Sequence, residues 1–371
     1  MRHLFLPDTE YFLVGDESVV TKSGKETYGL DHFFSGLLNQ VVKGIAIFSL
    51  SLVSVEERRS YPLRVEQVIR SQAEKVAAQE RKRKHSKKDK AAPKKKRGRP
   101  KGSQNRDKTQ VELTPELRRI QKIIRNQLEM LRDRVTVRYL ALDGHFGNNN
   151  ALQMVRQCGL HLISKLRYDV ALYFVYDGKQ KRKGPRKKYG QKINYRRIKE
   201  QYLVERSTKN GIETCIYQAQ MLHHEFAQVL NVVIITKTNL KTGVFANVNL
   251  FSSDLELSYE TIIDCYSLRF QIEFNFRDAK QFWGLEDFMN VNQTPVYNAA
   301  NLAMFMVNVS LVLIRHFRPA CPAFSVNDLK AHFRGHKYVS ETLKLLPQLP
   351  EPFFIDRIFA HIARIGSINT L

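Results

Sequence analysis

The first apolar run of the chain is Tyr11-Phe12-Leu13-Val14, and a second extends from Ile45 through Val55 after a glycine-punctuated connection. Short apolar runs bounded by turn residues predict strands, and these two read as the opening antiparallel strands of a mixed sheet. The pattern lapses from Ser71 to Lys108 and resumes at Thr114-Pro115-Glu116. There an N-cap residue, a proline at N1 and an early acid predict a helix running to about Leu131. Val135 to Leu142 alternates as a strand and ends at Asp143-Gly144, and Asn148 to Asn150 can cap a helix reaching Cys158. Leu160 to Leu166 reads as the next strand, which completes the strand–helix–strand crossover of an α/β core. From about Arg167 to Asn249 the pattern is β-rich, with Asn210-Gly211 as a two-residue hairpin signal between residues 201–206 and 212–218. Residues 232–236 and 244–251 flank another Gly-containing turn, and helical periodicity returns from about Ser258. The apolar stretch from Ala299 to Ile314 is short for a membrane span and carries Asn301, Asn308 and Ser310, so it predicts a buried core helix.

Charge changes this picture. The 371 residues include 60 Lys+Arg against 36 Asp+Glu, a net charge of +24. An excess on that scale points to a polyanionic partner, held by attraction and counterion release. Half of it sits between Ser71 and Lys108, where 16 Lys/Arg face 4 Asp/Glu and Val76 is the only branched aliphatic residue. Such a segment cannot bury enough apolar surface to offset its ordering entropy, so disorder is expected, with helix only near its start. Within it, Lys96-Arg97-Gly98-Arg99-Pro100-Lys101 resembles an AT-hook, and Arg97 and Arg99 become candidates for the narrow minor groove of A/T-rich DNA. A solvated basic linker is the plainer alternative. Residues 179–197 are a second dense basic stretch and another candidate phosphate-contacting surface. Cys158, Cys215, Cys265 and Cys321 form no CxxC pair, which argues against a disulfide framework or a zinc site and fits a reducing compartment.

The most specific signal is Tyr266, Arg269, Glu273 and Lys280, spaced Y-x2-R-x3-E-x6-K. On one continuous helix these four would fall within about 60° of each other. Ile263, Phe270 and Phe274 border that stripe, while Leu268, Ile272 and Phe276 make much of the rest apolar, so the helix is expected to be buried. An acid, two cations and a phenol on a buried face suit a site that holds metal and phosphate together. The structural alternative is an ordinary Arg269–Glu273 pair with Tyr266 as a packed aromatic.

This signature resembles the Tyr-Arg-Glu-Lys motif of bacterial insertion-sequence transposases of the DDE superfamily. The following Phe282-Trp283-Gly284-Leu285-Glu286 is similar to the family's continuation, and Val14-Gly15-Asp16 through Lys25 is similar to the context of its first Asp. Asp143-Gly144-His145-Phe146-Gly147 is similar to that of its second. The resemblance spans about Tyr11 to Val312. It implies a ribonuclease-H-like α/β core: a mixed five-stranded sheet flanked by helices, with a β-rich insertion between the second Asp and the catalytic Glu. The expected organisation is core in residues 1–70, basic insert in 71–110, core in 111–166, β-rich insertion in 167–250 and a helical end in 251–371. The resemblance further implies Asp16, Asp143 and Glu273 as catalytic ligands of two Mg²⁺ (or Mn²⁺) ions. Tyr266, Arg269 and Lys280 would be contacts to transposon-end DNA. The implied activity is cleavage at element ends and transfer of the 3′-OH into target DNA, by a homodimer in a synaptic complex in the bacterial cytoplasm, with no membrane. Relatives carry a helical DNA-binding segment upstream of the first Asp, whereas Asp16 stands fifteen residues from Met1. A truncated or domesticated derivative that binds ends without cutting is therefore one alternative, and a ribonuclease-H-like nuclease is another.

Overall fold

The computed structural model describes residues 9–36, 38–76, 80 and 107–369. The expected disorder of residues 71–108 and the AT-hook residues Arg97 and Arg99 fall largely or wholly outside them, although residues 72–76 are helical. The chain divides into two compact units. The larger contains Glu10–Glu17 and Phe48–Ile272; the smaller contains Met1–Thr9, Ser18–Ile47 and Glu273–Leu371.

The larger unit is built on a mixed sheet. Its strands are β1 (Tyr11–Thr21), β3 (Gln40–Ser54), β4 (Arg59–Val68), β5 (Val137–Ala141), β6 (His161–Leu166), β7 (Leu172–Val175), β8 (Tyr189–Lys192), β9 (Leu203–Lys209), β10 (Ile212–His223), β11 (Leu230–Asn239) and β12 (Phe245–Ser252), of which β1 and β3 also supply residues to the smaller unit. The order is β3-β1-β5-β6-β12-β11-β10-β7-β8, with β4 paired to β3 and β9 to β10. β1, β5 and β6 run parallel, and β12, β11 and β10 continue antiparallel from β6. The β-rich stretch therefore extends the sheet.

Parallel strands require a crossover, and α2 (Asn149–Arg156) supplies it between β5 and β6. Asn148 caps α2 by accepting from the Ala151 amide at 3.0 Å. Helix α1 (Pro115–Leu131) has the predicted bounds, and the Thr114 hydroxyl accepts from Leu117 N. Its buried positions Leu117, Ile120, Ile124 and Leu131 recur at helical spacing and form one face. Phe48 to Ser54 of β3 are buried without alternation, as expected for a strand covered on both faces. Each fully buried Leu, Ile or Phe here contributes about 1.5–3 kcal/mol. Asn210 and Gly211 adopt φ of 52° and 74°, the left-handed pair that a tight hairpin needs.

In the smaller unit, β2 (Asp31–Ser35) pairs antiparallel with Gln40 to Gly44 of β3. Its helices are α4 (Gln271–Trp283, which begins two residues before the unit), α5 (Gln293–Phe317), α6 (Val326–Leu343) and α7 (Pro352–Ile362). Ile314, Cys321, Phe324 and Leu329 form a buried cluster in which Phe317 stacks on Phe324 at 4.4 Å. Helix α5 is long and apolar enough to cross a membrane by length and composition alone, and it buries Val296, Ala300, Met304, Val307 and Ile314.

Two expectations are corrected. β1 does not end near Val14 but runs on to Thr21, so Asp16 lies inside a strand; Val19, Val20 and Thr21 are β-branched and sustain it. The single helix expected from Tyr266 to Lys280 is two helices, α3 (Tyr259–Leu268) and α4. At the break Phe270 N bonds Ser267 O at 3.1 Å and Ile272 N bonds Arg269 O at 3.2 Å. These three-residue bonds tighten the turn, so a constant 100° per residue does not carry through it.

Candidate active site on adjacent parallel strands

The register of β1 against β5 places Val14 opposite Ala141. Asp16 and Asp143 each follow by two residues. Asp16 lies within β1 and Asp143 just past the end of β5, and the two carboxylates come close enough to interact electrostatically. Gly15 keeps this stretch of β1 close to β3, since a Cβ there would come within 2.8 Å of the Phe48 ring and 3.0 Å of Leu142 Cδ2.

Asp16 accepts from the Glu17 amide at 2.8 Å and meets Arg269 Nη1 at 3.3 Å. Asp143 begins a tight turn: its Oδ1 accepts from His145 N at 3.2 Å, and its carbonyl accepts from the Ser164 hydroxyl at 2.8 Å. Gly147 ends that turn where a Cβ would overlap the Lys165 carbonyl oxygen. Asp143 therefore caps a turn, the commonest work of an acid before glycine, within electrostatic range of Asp16.

The chain matches the family described as DDE superfamily endonuclease over residues 2–218, more than half of its length. It belongs to that superfamily. The matched span contains Asp16 and Asp143 and ends before Tyr266. No curated protein matches the chain. Membership makes this a DNA-acting endonuclease of a superfamily that generally uses divalent metals.

Electrostatics around the pair follow from burial and crowding. In this DDE endonuclease burial pushes the Asp16 carboxyl above the usual carboxylate range; the Glu17 amide and Arg269 oppose the shift, and neighbouring Asp143 adds to it. Burial likewise raises the Tyr266 phenol, which feels Arg269, Asp143 and Asp16 in that order. The Arg269 guanidinium lies 5.6 Å from the Tyr266 ring. The larger unit thus brings together four of the residues singled out in the sequence: Asp16, Asp143, Tyr266 and Arg269.

Glu273 and Lys280 lie on the part of α4 that belongs to the smaller unit. The Glu273 side chain is exposed, as are Phe270 and Phe274, so α4 buries only the face carrying Ile272, Asn275, Phe276 and Ala279. The expectation of an all-round buried helix is corrected accordingly. Lys280 pairs with Glu286 at 2.9 Å and donates to the Val19 carbonyl at 3.2 Å. Among the described residues, no three His, Cys, Asp or Glu side chains group as a metal cage.

The residues that sequence reasoning missed surround the pair. His145 approaches Glu116 at 3.7 Å, and this contact holds the imidazole above its ordinary value and Glu116 below the usual carboxylate range. Glu17 is raised, chiefly by burial and then by Glu116, with Arg70 and Arg119 opposing. Arg119 in turn pairs with Glu74 at 3.0 Å. Glu116 was visible only as a first-turn acid of α1 and His145 only as a letter of a motif; nothing local signals that they meet.

Proposed function

We propose that this DDE endonuclease is an insertion-sequence transposase that cleaves element ends and joins the freed 3′-OH to target DNA. The observation that supports it most is the parallel pairing of β1 with β5, after which Asp16 and Asp143 lie within electrostatic range of each other and Arg269 lies 3.3 Å from Asp16. The strand order β4-β3-β1-β5-β6 supports a five-stranded ribonuclease-H-like core. The strands from β7 to β12 then form the insertion between the second Asp and Glu273.

The donor set fits hard divalent cations: two neighbouring carboxylates, of which Asp16 is held above the usual range by burial and by Asp143, gain from a shared positive charge. Asp16 and Asp143 would hold Mg²⁺ or Mn²⁺, with Glu273 as the third ligand by its place in the motif. Two such ions, when bound, neutralise charge on the attacking and leaving oxygens of a phosphodiester displacement. The chain's own residues orient the reactants. The Glu17 amide and Arg269 fix the Asp16 carboxylate, and the turn at Gly144 to Gly147 fixes Asp143. Arg269, Tyr266 and Lys280 are assigned to phosphates of the element end, where a planar guanidinium and a compact ammonium suit phosphate oxygens. Arg97 and Arg99 are assigned to the minor groove of A/T-rich DNA, and a homodimer to the joining of two ends.

The test is covalent joining of a labelled 3′-OH end duplex to supercoiled plasmid with Mg²⁺ or Mn²⁺. Joining that needs metal and is abolished by Glu273→Gln supports the proposal. Release of ribonucleotides from an RNA–DNA hybrid without joining contradicts it.

A further inference from the structure

Residues 179–199 contain eleven Lys or Arg and no Asp or Glu. All eleven side chains are exposed. Of the acids near it, Asp169 is engaged by Arg167 at 3.2 Å and Glu200 by Arg206 at 2.7 Å, which leaves exposed Asp177 as a single carboxylate beside eleven cations. Among the described residues none of the eleven is in an ion pair with a carboxylate.

This stretch is a shaped hairpin. The Gln180 amide brackets the opposite strand, donating to Lys187 O at 2.8 Å and accepting from Lys187 N at 2.9 Å. Tyr176 N donates to Lys188 O at 3.0 Å, the Lys187 ammonium sits 4.5 Å above the Tyr176 ring, and Gly184 turns the tip at φ +100°. At its base Tyr189 packs against Tyr173 at 5.5 Å and His224 at 4.3 Å, and Arg196 lies over Phe245 at 4.9 Å. A structure that concentrates like charges on a braced hairpin bears their mutual repulsion, which a polyanion relieves.

We infer that the β7–β8 hairpin is a second DNA-binding surface that grips the phosphate backbone of duplex DNA away from Asp16 and Asp143. The inference rests on the proposed function for its choice of duplex DNA. The sheet order separates β8 from β5 by six strand-to-strand steps, on the order of 30 Å at ~4.8 Å per step. That distance corresponds to roughly nine base pairs at ~3.4 Å each. The hairpin therefore contacts DNA about one helical turn from the scissile phosphate. Its contribution is affinity and register, independent of base sequence.

The experiment uses the full chain in EDTA, so that no cleavage intervenes, and a labelled random-sequence 30-base-pair duplex titrated across a series of KCl concentrations. Two variants are compared with the parent, one combining Lys181→Gln, Arg182→Gln and Lys183→Gln, the other Arg186→Gln, Lys188→Gln and Lys192→Gln. All six side chains are exposed, and an unchanged circular dichroism melt establishes that each variant folds. Each phosphate contact contributes about 0.9 to the slope of log affinity against log salt. Each triple variant is expected to reduce that slope by about 2–3 and to weaken binding at least tenfold at physiological salt. Parental affinity and slope in both variants would overturn the inference, and so would lost affinity for single-stranded RNA with duplex binding intact. Failure of the parent to cleave any end would count against the proposed function and leave the salt-slope result standing.

Discussion

Replacing Arg269 by alanine isolates the electrostatics of the aspartate pair. The Arg269–Asp16 contact is 3.3 Å between side chains 14% and 25% exposed. At an effective dielectric of about 20, unit charges at this distance attract by about 5 kcal/mol before desolvation is counted. Taking both groups out of water offsets more than half of that, so removal of Arg269 should cost about 2 kcal/mol net, below the 3–5 typical of fully buried pairs. Losing that attraction raises the Asp16 carboxyl further, in the direction that burial and Asp143 already push it. A carboxyl whose folded pKa rises above its unfolded value favours the folded state at low pH, and that advantage is lost as pH rises through the folded pKa. Arg269→Ala should therefore be destabilised at pH 7 and approach the parent as pH falls towards 4. The assay is a urea-unfolding cycle at both pH values with Arg269→Ala, Asp16→Asn and the double variant. A coupling energy near 2 kcal/mol at pH 7 that shrinks on acidification is expected; coupling below about 0.5 kcal/mol at pH 7 would refute the reasoning.

Three further outcomes can be measured. Asp328, fully buried at the start of α6, accepts from Ser325 N and Oγ at 2.9 and 2.7 Å and from Ile368 N and Asn369 N at 2.6 and 3.1 Å. Burial pushes its carboxyl up, but the hydrogen bonds from Asn369 and Ser325 outweigh burial and hold it far below the usual range. Asp328→Asn should cost about 3 kcal/mol at pH 7 and speed amide exchange at Ile368 and Asn369. The contribution of Asp328 is present above the unfolded carboxyl pKa of about 3.9 and is lost as pH falls through the folded value, so parent and variant should converge only in strong acid. Gly147→Ala sets a Cβ against the Lys165 carbonyl; a loss of about 2–3 kcal/mol in thermal or urea unfolding is expected, and an unchanged melt would contradict the tight turn. Lys280→Met removes the bonds to Glu286 and Val19, and strand transfer should fall at least tenfold with metal affinity unchanged.

Much of the fold was legible because its signals are local. Thr114-Pro115-Glu116 marked the start of α1, Asn148 capped α2, and Asn210-Gly211 turned β9 into β10, each through chemistry confined to a few residues. β4 went unread although Tyr61, Leu63 and Val65 alternate with Arg64 and Glu66, because Pro62 cannot donate to a ladder and demotes the run as a strand. The break between α3 and α4 contains neither glycine nor proline, so helical periodicity alone ran through it. At the site, the aspartates stood out by their place after apolar runs, and the parallel pairing of β1 with β5 then brings their strands side by side. The His145–Glu116 contact joins residues far apart in sequence by tertiary packing, which no spacing rule anticipates.

The proposed function requires Asp16, Asp143 and Glu273 to act together on one divalent-metal site. Calorimetric titration of Mn²⁺ into the parent and into Asp16→Asn, Asp143→Asn and Glu273→Gln tests it most directly. Saturable binding in the parent, weakened tenfold or more by each substitution alone, is the predicted result. Parental Mn²⁺ affinity in Glu273→Gln, together with undiminished DNA joining, would contradict it.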